Sequence, residues 1–493
     1  MQDIKQKRLA IDDIDRQLSE LLERRLALVD EIATIKSQNG YLPEDPQRIA
    51  EIYSKVQAAD PAYEDCLRSH LAYVLALSKS RYQPEKNKFL RLTADPSTMN
   101  DPIFSSSQRA KQDDDPHKID ATLGTLCDEE GNLLTFRCVY EIYDRLSAGA
   151  KAGYAQGIVG NRDYLAAVEK WVLPSGYERY HRSIATSGGT GALALGINTT
   201  LDPGSTVILP ELAWTTYDLM AVQNGLLSAN YRMFDDQGHY DITDLLRLMS
   251  EVGKRQKRLV VVINDPAHNP SGYSMSVADW EKLVDHCNSL ANDIVLINDI
   301  AYLDFAGNTG NSEYMRQFVR LGDNTVVLTA FSASKTLTMY GMRLGAAIIS
   351  GKPETVDGML NACQRQARIM WSNANNGAMK TMAILADRAV PEYNNEKAGF
   401  LALLAQRAEL FLSEARQCGL ACYPYQAGFF ASVRCADNQQ VEQWQKRLVV
   451  SHIHTVAVAK GLRIALCGLP LDKIKGLALK IKEAENYENR KDR

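Results

Sequence analysis

Five short apolar runs, Val207–Leu209, Leu259–Ile263, Ile294–Ile297, Val326–Leu328 and Ala346–Ile349, recur between helical stretches in the later part of the chain. They are rich in Val and Ile and too short to be amphipathic helices. Such runs suit strands buried on both faces of a largely parallel sheet. Ligands of sheets of this kind bind just beyond the carboxyl ends of the strands. The residues immediately after each run are therefore the first place to look for chemistry.

After Leu259–Ile263 comes NDPAHNPSG, with Asn269 in a turn, and after Ile294–Ile297 comes NDIAY, with Asp299 and Tyr302. After Val326–Leu328 comes TAFSASK, with Ser332, Ser334 and Lys335, and Arg343 follows eight residues after the lysine. Earlier, SGGTGAL (Ser187–Leu193) is a glycine-rich turn opening a helix, where backbone N–H groups make a cradle for phosphate. A carboxylate, a phenol, an amide, a lysine and a phosphate nest thus converge on one sheet edge. Pyridoxal phosphate needs such a set: a lysine for its aldehyde, a carboxylate for its ring nitrogen, a grip on its phosphate.

Over roughly Asp101–Leu479 the chain resembles the class I aminotransferases of the aspartate and aromatic type, with the α/β PLP-dependent transferase fold (fold type I). The resemblance implies that Lys335 forms the Schiff base and shuttles the substrate proton. It implies that Asp299 pairs with the ring nitrogen and that Asn269 and Tyr302 hydrogen-bond the ring oxygen. Gly189, Thr190, Ser332 and Arg343 would hold the phosphate, Trp214 would stack on the ring, and Tyr154 would reach the phosphate from a neighbouring subunit. Arg463, in GLRIALCG, matches the arginine that forks the substrate α-carboxylate, which a guanidinium binds bidentately. Arg368, in RIMWSN, matches the position that binds the distal carboxylate in aspartate-using relatives.

Residues 3–83 obey another regime and read as three helices, at about 4–38, 45–58 and 62–83. In the first, Ile11, Ile14, Leu18, Leu21, Leu28, Ile32 and Ile35 fall at alternating three-and-four spacing, a seam for lengthwise packing on other helices. Arg25 belongs to that seam, where an unpaired guanidinium costs several kcal/mol. Lys36 comes eleven residues later, which at ~100° per residue returns to nearly the same face. Arg8 points elsewhere, so only another chain's helix brings it to the same site. Asp45 and Arg48 open the second helix and Gln83 closes the third. Several cations with an amide suit a small, multiply anionic ligand.

Residues 1–84 resemble the all-helical chorismate mutases, intertwined dimers of three-helix subunits. The resemblance implies that Arg25, Arg48 and the partner chain's Arg8 bind carboxylates, that Lys36 and Gln83 face the ether oxygen as its bond breaks, and that Asp45 meets a hydroxyl. Ile49 departs from the family, standing where many members carry a glutamate, and Lys79 stands where a small residue is common. A non-catalytic dimerising or regulatory ligand-binding module is the alternative.

The chain is 493 residues long, too long for one core at roughly 150 residues per domain. It divides into a helical domain at 1–88, a polar linker or loosely packed arm at 89–118, and an aminotransferase domain at 119–493. Within the last, the large cofactor-binding part covers about 150–355 and the small part 119–149 with 356–493. Net charge of −4 argues against a nucleic-acid partner. No apolar run reaches the ~20 residues that span a bilayer, and no signal peptide is apparent. Nine scattered cysteines without a CxxC pair suggest neither a metal site nor a disulfide framework. The expectation is a cytoplasmic homodimer acting on small molecules: chorismate, a keto acid of the aromatic pathway, and glutamate or aspartate as amino donor.

Overall fold

The computed structural model describes residues 2–39, 41, 45–60, 63–82, 101–307 and 312–485. Two compact units result. One holds the N-terminal helices with Asp202–Ser205 and Val222–Leu227, and the other holds the rest of the described chain from residue 101.

In the first unit, α1 (Gln2–Gln38), α2 (Pro46–Ser54) and α3 (Glu64–Ser80) lie close to the expected spans. Asp45 caps α2 by accepting a hydrogen bond from the Arg48 amide at 3.0 Å, and Pro46 supplies the first turn with a preset φ. The face of α1 that is covered carries Leu22, Leu26 and Val29, spaced four and three apart, with Val29 only 8% exposed. Arg25 is half-buried and stands where this face meets the Ile11–Ile35 seam, one turn from Leu21 and Leu28 on one side and from Leu22 and Val29 on the other. The seam itself is open: Ile11, Ile14, Leu18, Leu21, Leu28, Ile32 and Ile35 are between 46% and 59% exposed in the single chain. Their spacing is right for packing, but nothing among the described residues covers them. At the far end, Arg81 donates two hydrogen bonds to the Asp30 carboxylate, at 2.8 and 2.7 Å, joining the end of α3 to α1.

The second unit begins with α4 (Pro102–Gln112), capped by the Asp101 carboxylate on the amides of Ile103 and Phe104. Lys118 donates to the carbonyls of Ala110 at 2.9 Å and Asp113 at 2.5 Å, closing its other end. The described part of the polar stretch, 101–118, is therefore an ordered helix and turn and not a loose arm. Its polar side chains satisfy local backbone groups, which composition alone does not reveal. Residues 83–100 lie outside the described residues.

After β1 (Ile119–Asp120), a seven-stranded sheet is built from β2 (His181–Thr186), β3 (Thr206–Pro210), β4 (Leu227–Tyr231), β5 (Arg258–Asn264), β6 (Asp293–Asp299), β7 (Thr325–Ser332) and β8 (Gly345–Ser350). Their order is β2-β8-β7-β6-β5-β3-β4. The β3–β5, β5–β6 and β6–β7 pairs are parallel, while β8 runs antiparallel to both neighbours. The five expected runs are β3, β5, β6, β7 and β8. The two strands without such a run, β2 and β4, are the sheet's edges, and their outer residues face solvent instead of forming a continuous apolar stretch.

A second, smaller core of the same unit is formed by Phe411, Trp444, Ile464 and Ile481 around β9 (Phe430–Arg434), β10 (Ile453–His454), β11 (Val456–Val458) and β12 (Gly461–Ala465). Strand β1 joins it by pairing with β10. Helices Arg137–Arg145 and Asn376–Arg388, expected in the smaller part, instead bury Val139, Met379, Met382 and Leu385 in the larger core.

Candidate active site

Three parallel strands end side by side, and each delivers chemical groups at its carboxyl end. The last residue of β6 is Asp299, and Tyr302 lies in the next turn. Asn269 lies in the turn after β5, its amide donating to the Asn264 side chain at 2.7 Å. Strand β7 ends at Ser332, and the single helical turn Ala333–Thr336 carries Lys335. The chain then folds back into β8 through Arg343, at φ 51°.

The glycine turn fits against that return. Gly188 has φ +71°, and a Cβ there would collide with the Arg343 guanidinium. A Cβ on Gly345 would lie 2.6 Å from the Phe331 carbonyl oxygen. Neither position accepts another residue without displacing the cradle. Helix α5 (Gly188–Thr200) starts here, so its first amides and the Arg343 guanidinium face the same space. Arg343 is held by donating to Ser334 Oγ at 2.8 Å and to the Tyr340 carbonyl at 3.0 Å.

These groups line one cavity of about 270 Å³, which takes in Gly189, Thr190, Trp214, Asn269, Asp299, Tyr302, Ser332, Lys335, Arg343 and Arg463. Lys335 Nζ donates to the Gly124 carbonyl at 2.6 Å, and burial pushes its pKa down to about 8, with Arg463 and Arg343 adding to the effect. Asp299 is buried and pushed up to about 6 by loss of water, despite accepting hydrogen bonds from Tyr217 Oη at 2.6 Å and the Ala301 amide at 3.0 Å. Among the described residues no cation pairs with it. Arg463 is 3% exposed, stacks 4.3 Å from the Phe430 ring centroid, and donates to the Thr122 carbonyl at 3.0 Å and Asn269 Oδ1 at 3.3 Å. Its Nε has no partner and no carboxylate pairs with it among the described residues.

A buried carboxylate without a cation and a buried guanidinium without an anion are costly unless a ligand completes them. A protonated ring nitrogen suits the first and a substrate carboxylate the second. With the glycine cradle for a phosphate, the residues present fit pyridoxal phosphate and an amino acid.

Two expected residues lie elsewhere. Tyr154 is 89% exposed and lines a neighbouring space with Ser187, Arg343 and Trp371. Arg368 does not reach the cavity of its own chain. It sits exposed in the last turn of the helix Pro353–Met370, donating to Ser372 Oγ at 2.5 Å, so its expected contact with a distal carboxylate is not made within one chain. Ile369 beside it is 79% exposed. Tyr217, Tyr340, Phe430 and the Gly124 carbonyl, all at the cavity, were not expected from the sequence.

In the helical unit, Arg25 donates to Ser78 Oγ in a short hydrogen bond and is half-buried. Burial pushes its pKa down. Lys36 Nζ lies 5.6 Å from the Tyr82 ring centroid, and Tyr82 also feels the charge of Arg25, so the two expected cations flank one phenol. Arg48 is exposed and paired with Glu51 at 3.0 Å, Asp45 serves as the cap of α2, and Arg8 is exposed on α1. The structure therefore brings Arg25 and Lys36 to a common neighbour and leaves Arg8, Asp45 and Arg48 on the surface of the single chain. Gln83 lies outside the described residues.

No helix among the described residues is long and apolar enough to cross a membrane, and no group of three or more potential ligands there could hold a metal ion.

Residues 116–481 match the family described as Aminotransferase class I and II, and residues 7–81 match Chorismate mutase type II. A cytoplasmic aspartate aminotransferase of Dictyostelium discoideum is 29% identical over 296 residues, covering 58% of this chain and 66% of that enzyme, just under two thirds of its length. The crystal structure of an aminotransferase from Anaerococcus prevotii superposes with a TM-score of 0.74 at 30% identity, covering 79% of this chain and 97% of that one. An aromatic-amino-acid aminotransferase of Burkholderia pseudomallei, covalently bound to pyridoxal phosphate, shares the fold with a TM-score of 0.66 at 21% identity over 81% of this chain and 99% of its own.

Proposed function

The chain belongs to the class I and II aminotransferase family and opens with a chorismate mutase type II domain, and from that premise we propose that it is a bifunctional enzyme. The helical domain rearranges chorismate to prephenate. The α/β domain transfers the amino group of glutamate or aspartate to an aromatic-pathway keto acid: prephenate, phenylpyruvate, 4-hydroxyphenylpyruvate or an amino-substituted analogue. The observation that carries the transferase reading is the single cavity in which Lys335, Asp299 and Arg463 meet, the last two lacking the partners a cofactor and an amino acid supply.

Pyridoxal phosphate, when bound, supplies an aldehyde for an amino group and a ring that disperses negative charge. Gly189, Thr190, Ser332 and Arg343 would grip its phosphate, Trp214 would cover the ring face, Asn269 and Tyr302 would bond the ring oxygen, and Asp299 would offset the charge of the ring nitrogen. Lys335, its pKa lowered to about 8 by burial, holds or releases a proton at Nζ and passes it to and from the substrate α-carbon. Arg463 orients the substrate by its α-carboxylate.

Tyr154 and Arg368 act in the cavity of a second copy of this chain. Their exposure, together with the open seam of α1, supports a homodimer. In the helical domain, Arg25, Arg48 and a second chain's Arg8 hold the two carboxylates of chorismate. Lys36 and Gln83 stabilise charge developing on the ether oxygen, and Asp45 meets the hydroxyl. The alternative, a non-catalytic dimerising or regulatory module, is favoured by Ile49 and by the engagement of Arg48 with Glu51. Nine cysteines without a disulfide and the similarity to a cytoplasmic aspartate aminotransferase of Dictyostelium support a cytoplasmic enzyme.

The test uses the purified full chain with pyridoxal phosphate and glutamate. Chorismate consumption and amination of each keto acid are monitored by chromatography. Absence of amino product with every acceptor would overturn the transferase reading, and unchanged chorismate would leave the helical domain as a binding module.

A further inference from the structure

Asp299 is the most exacting group in the cavity, because a carboxylate without water or a cation tends to take up a proton and lose the charge a ring nitrogen needs. Groups from several elements face it. Tyr217 Oη comes from the helix Thr216–Gln223 and lies 2.6 Å from Asp299 Oδ2. The Ala301 amide comes from the turn after β6, at 3.0 Å from Oδ1. Asn264 Nδ2, from β5, donates to the Asp299 carbonyl at 2.8 Å and leaves the carboxylate alone. Tyr302 and Tyr314 lie close enough to feel its charge.

Tyr217 is thus the side-chain donor on the carboxylate among the described residues. It is fully buried, its amide donates to the Trp214 carbonyl at 3.0 Å, and its ring meets the Trp214 indole edge-on at 5.6 Å. One short segment therefore carries both the indole at the cavity and the hydroxyl on the carboxylate. We propose that Tyr217 is a positioning residue that holds Asp299 as a carboxylate facing the cofactor's ring nitrogen. The inference rests on the cofactor reading given above.

The electrostatics agree with the geometry. Burial and the neighbouring Asp299 charge push the Tyr217 hydroxyl well above its ordinary range, so it remains a donor throughout the physiological range. A hydrogen bond from a neutral donor to a charged acceptor favours the charged form. Removing it leaves Asp299 with one amide donor in the same dry site, and its proton is then lost only at higher pH.

Tyr217→Phe tests this, since it keeps the ring and the Trp214 contact and removes one hydroxyl. Purified apoprotein is titrated with pyridoxal phosphate between about pH 6 and pH 8.5, reading absorbance and not turnover, with thermal melting as the check on folding. The expected result is an affinity about ten- to a hundredfold below that of the unaltered protein near neutrality. The deficit should shrink as pH rises and Asp299 ionises in the variant. In an Asp299→Asn background the same change should have no pH-dependent effect. An equal affinity at every pH, or a loss by one constant factor at every pH, overturns the proposal, the second because it marks a packing role. If the unaltered protein itself fails to bind pyridoxal phosphate, the cofactor reading fails instead.

Discussion

Lys335 Nζ lies 2.6 Å from the Gly124 carbonyl oxygen, with the Tyr340 ring centroid 4.8 Å away. The loop after β1 thereby meets the helical turn after β7, and the amine is aimed into the cavity by two segments far apart in sequence. Burial, with the Arg463 and Arg343 charges, lowers the amine to about 8, so Lys335 exists in both states near neutral pH.

Replacing Lys335 with Ala should abolish transamination and the visible absorbance of bound cofactor, while chorismate turnover continues at its original rate. The two candidate sites share no residue, which is why the activities should separate. Loss of both with an unchanged melting curve would contradict independent sites.

Asp299 gives a pH-dependent stability. Its folded pKa of about 6 is above the ordinary value of 3.8, so the folded apoprotein binds the proton more tightly than the unfolded chain. Stability therefore falls as pH rises from about 4 to 6. Asp299→Asn should stabilise the apoprotein by ~1–3 kcal/mol at pH 7.5, a gain that shrinks as pH is lowered towards 5. Thermal melts at both pH values decide it; a gain independent of pH would show that ionisation is not the cause.

Arg25→Ala should lower chorismate turnover about a hundred- to a thousandfold, the usual effect of removing one preorganised donor from developing charge. Melting and turnover are measured together. A more stable protein with unchanged turnover would make Arg25 an ordinary helix-packing residue.

The strands and the groups at their ends were legible because buried parallel strands demand continuous apolar runs, and the polar residues that interrupt them stand out. Asp299 ends such a run, and Asn269 and Lys335 follow within a few residues of one. Tyr217 was not legible, since a buried tyrosine in TTYDLM looks like any core aromatic until its hydroxyl is seen against Asp299. Helix α4 was missed because its polar composition hides it, although Asp101-Pro102 is a start signal of the kind that caps helices. On α1 the apolar spacing marks two stripes, and only one of them finds its neighbours among the described residues. The face on Leu22, Leu26 and Val29 is covered within the chain, and the longer seam is left open.

Arg368 lies outside the cavity of its own chain, and the proposal that it serves the cavity of a second copy can be tested by mixing inactive proteins. Arg368→Leu alone should weaken glutamate or aspartate by roughly 2–5 kcal/mol, the cost of truncating one partner of a buried charge pair, and phenylalanine by little. Prephenate should behave like glutamate if its ring carboxylate uses the same arginine. Lys335→Ala and Arg368→Leu chains, unfolded and refolded together, form mixed dimers. If Arg368 serves the neighbouring cavity, one site in each mixed dimer has Lys335 from one chain and Arg368 from the other, and transamination with glutamate reappears. If Arg368 acts within its own chain, every site carries one of the two lesions, and mixing restores nothing.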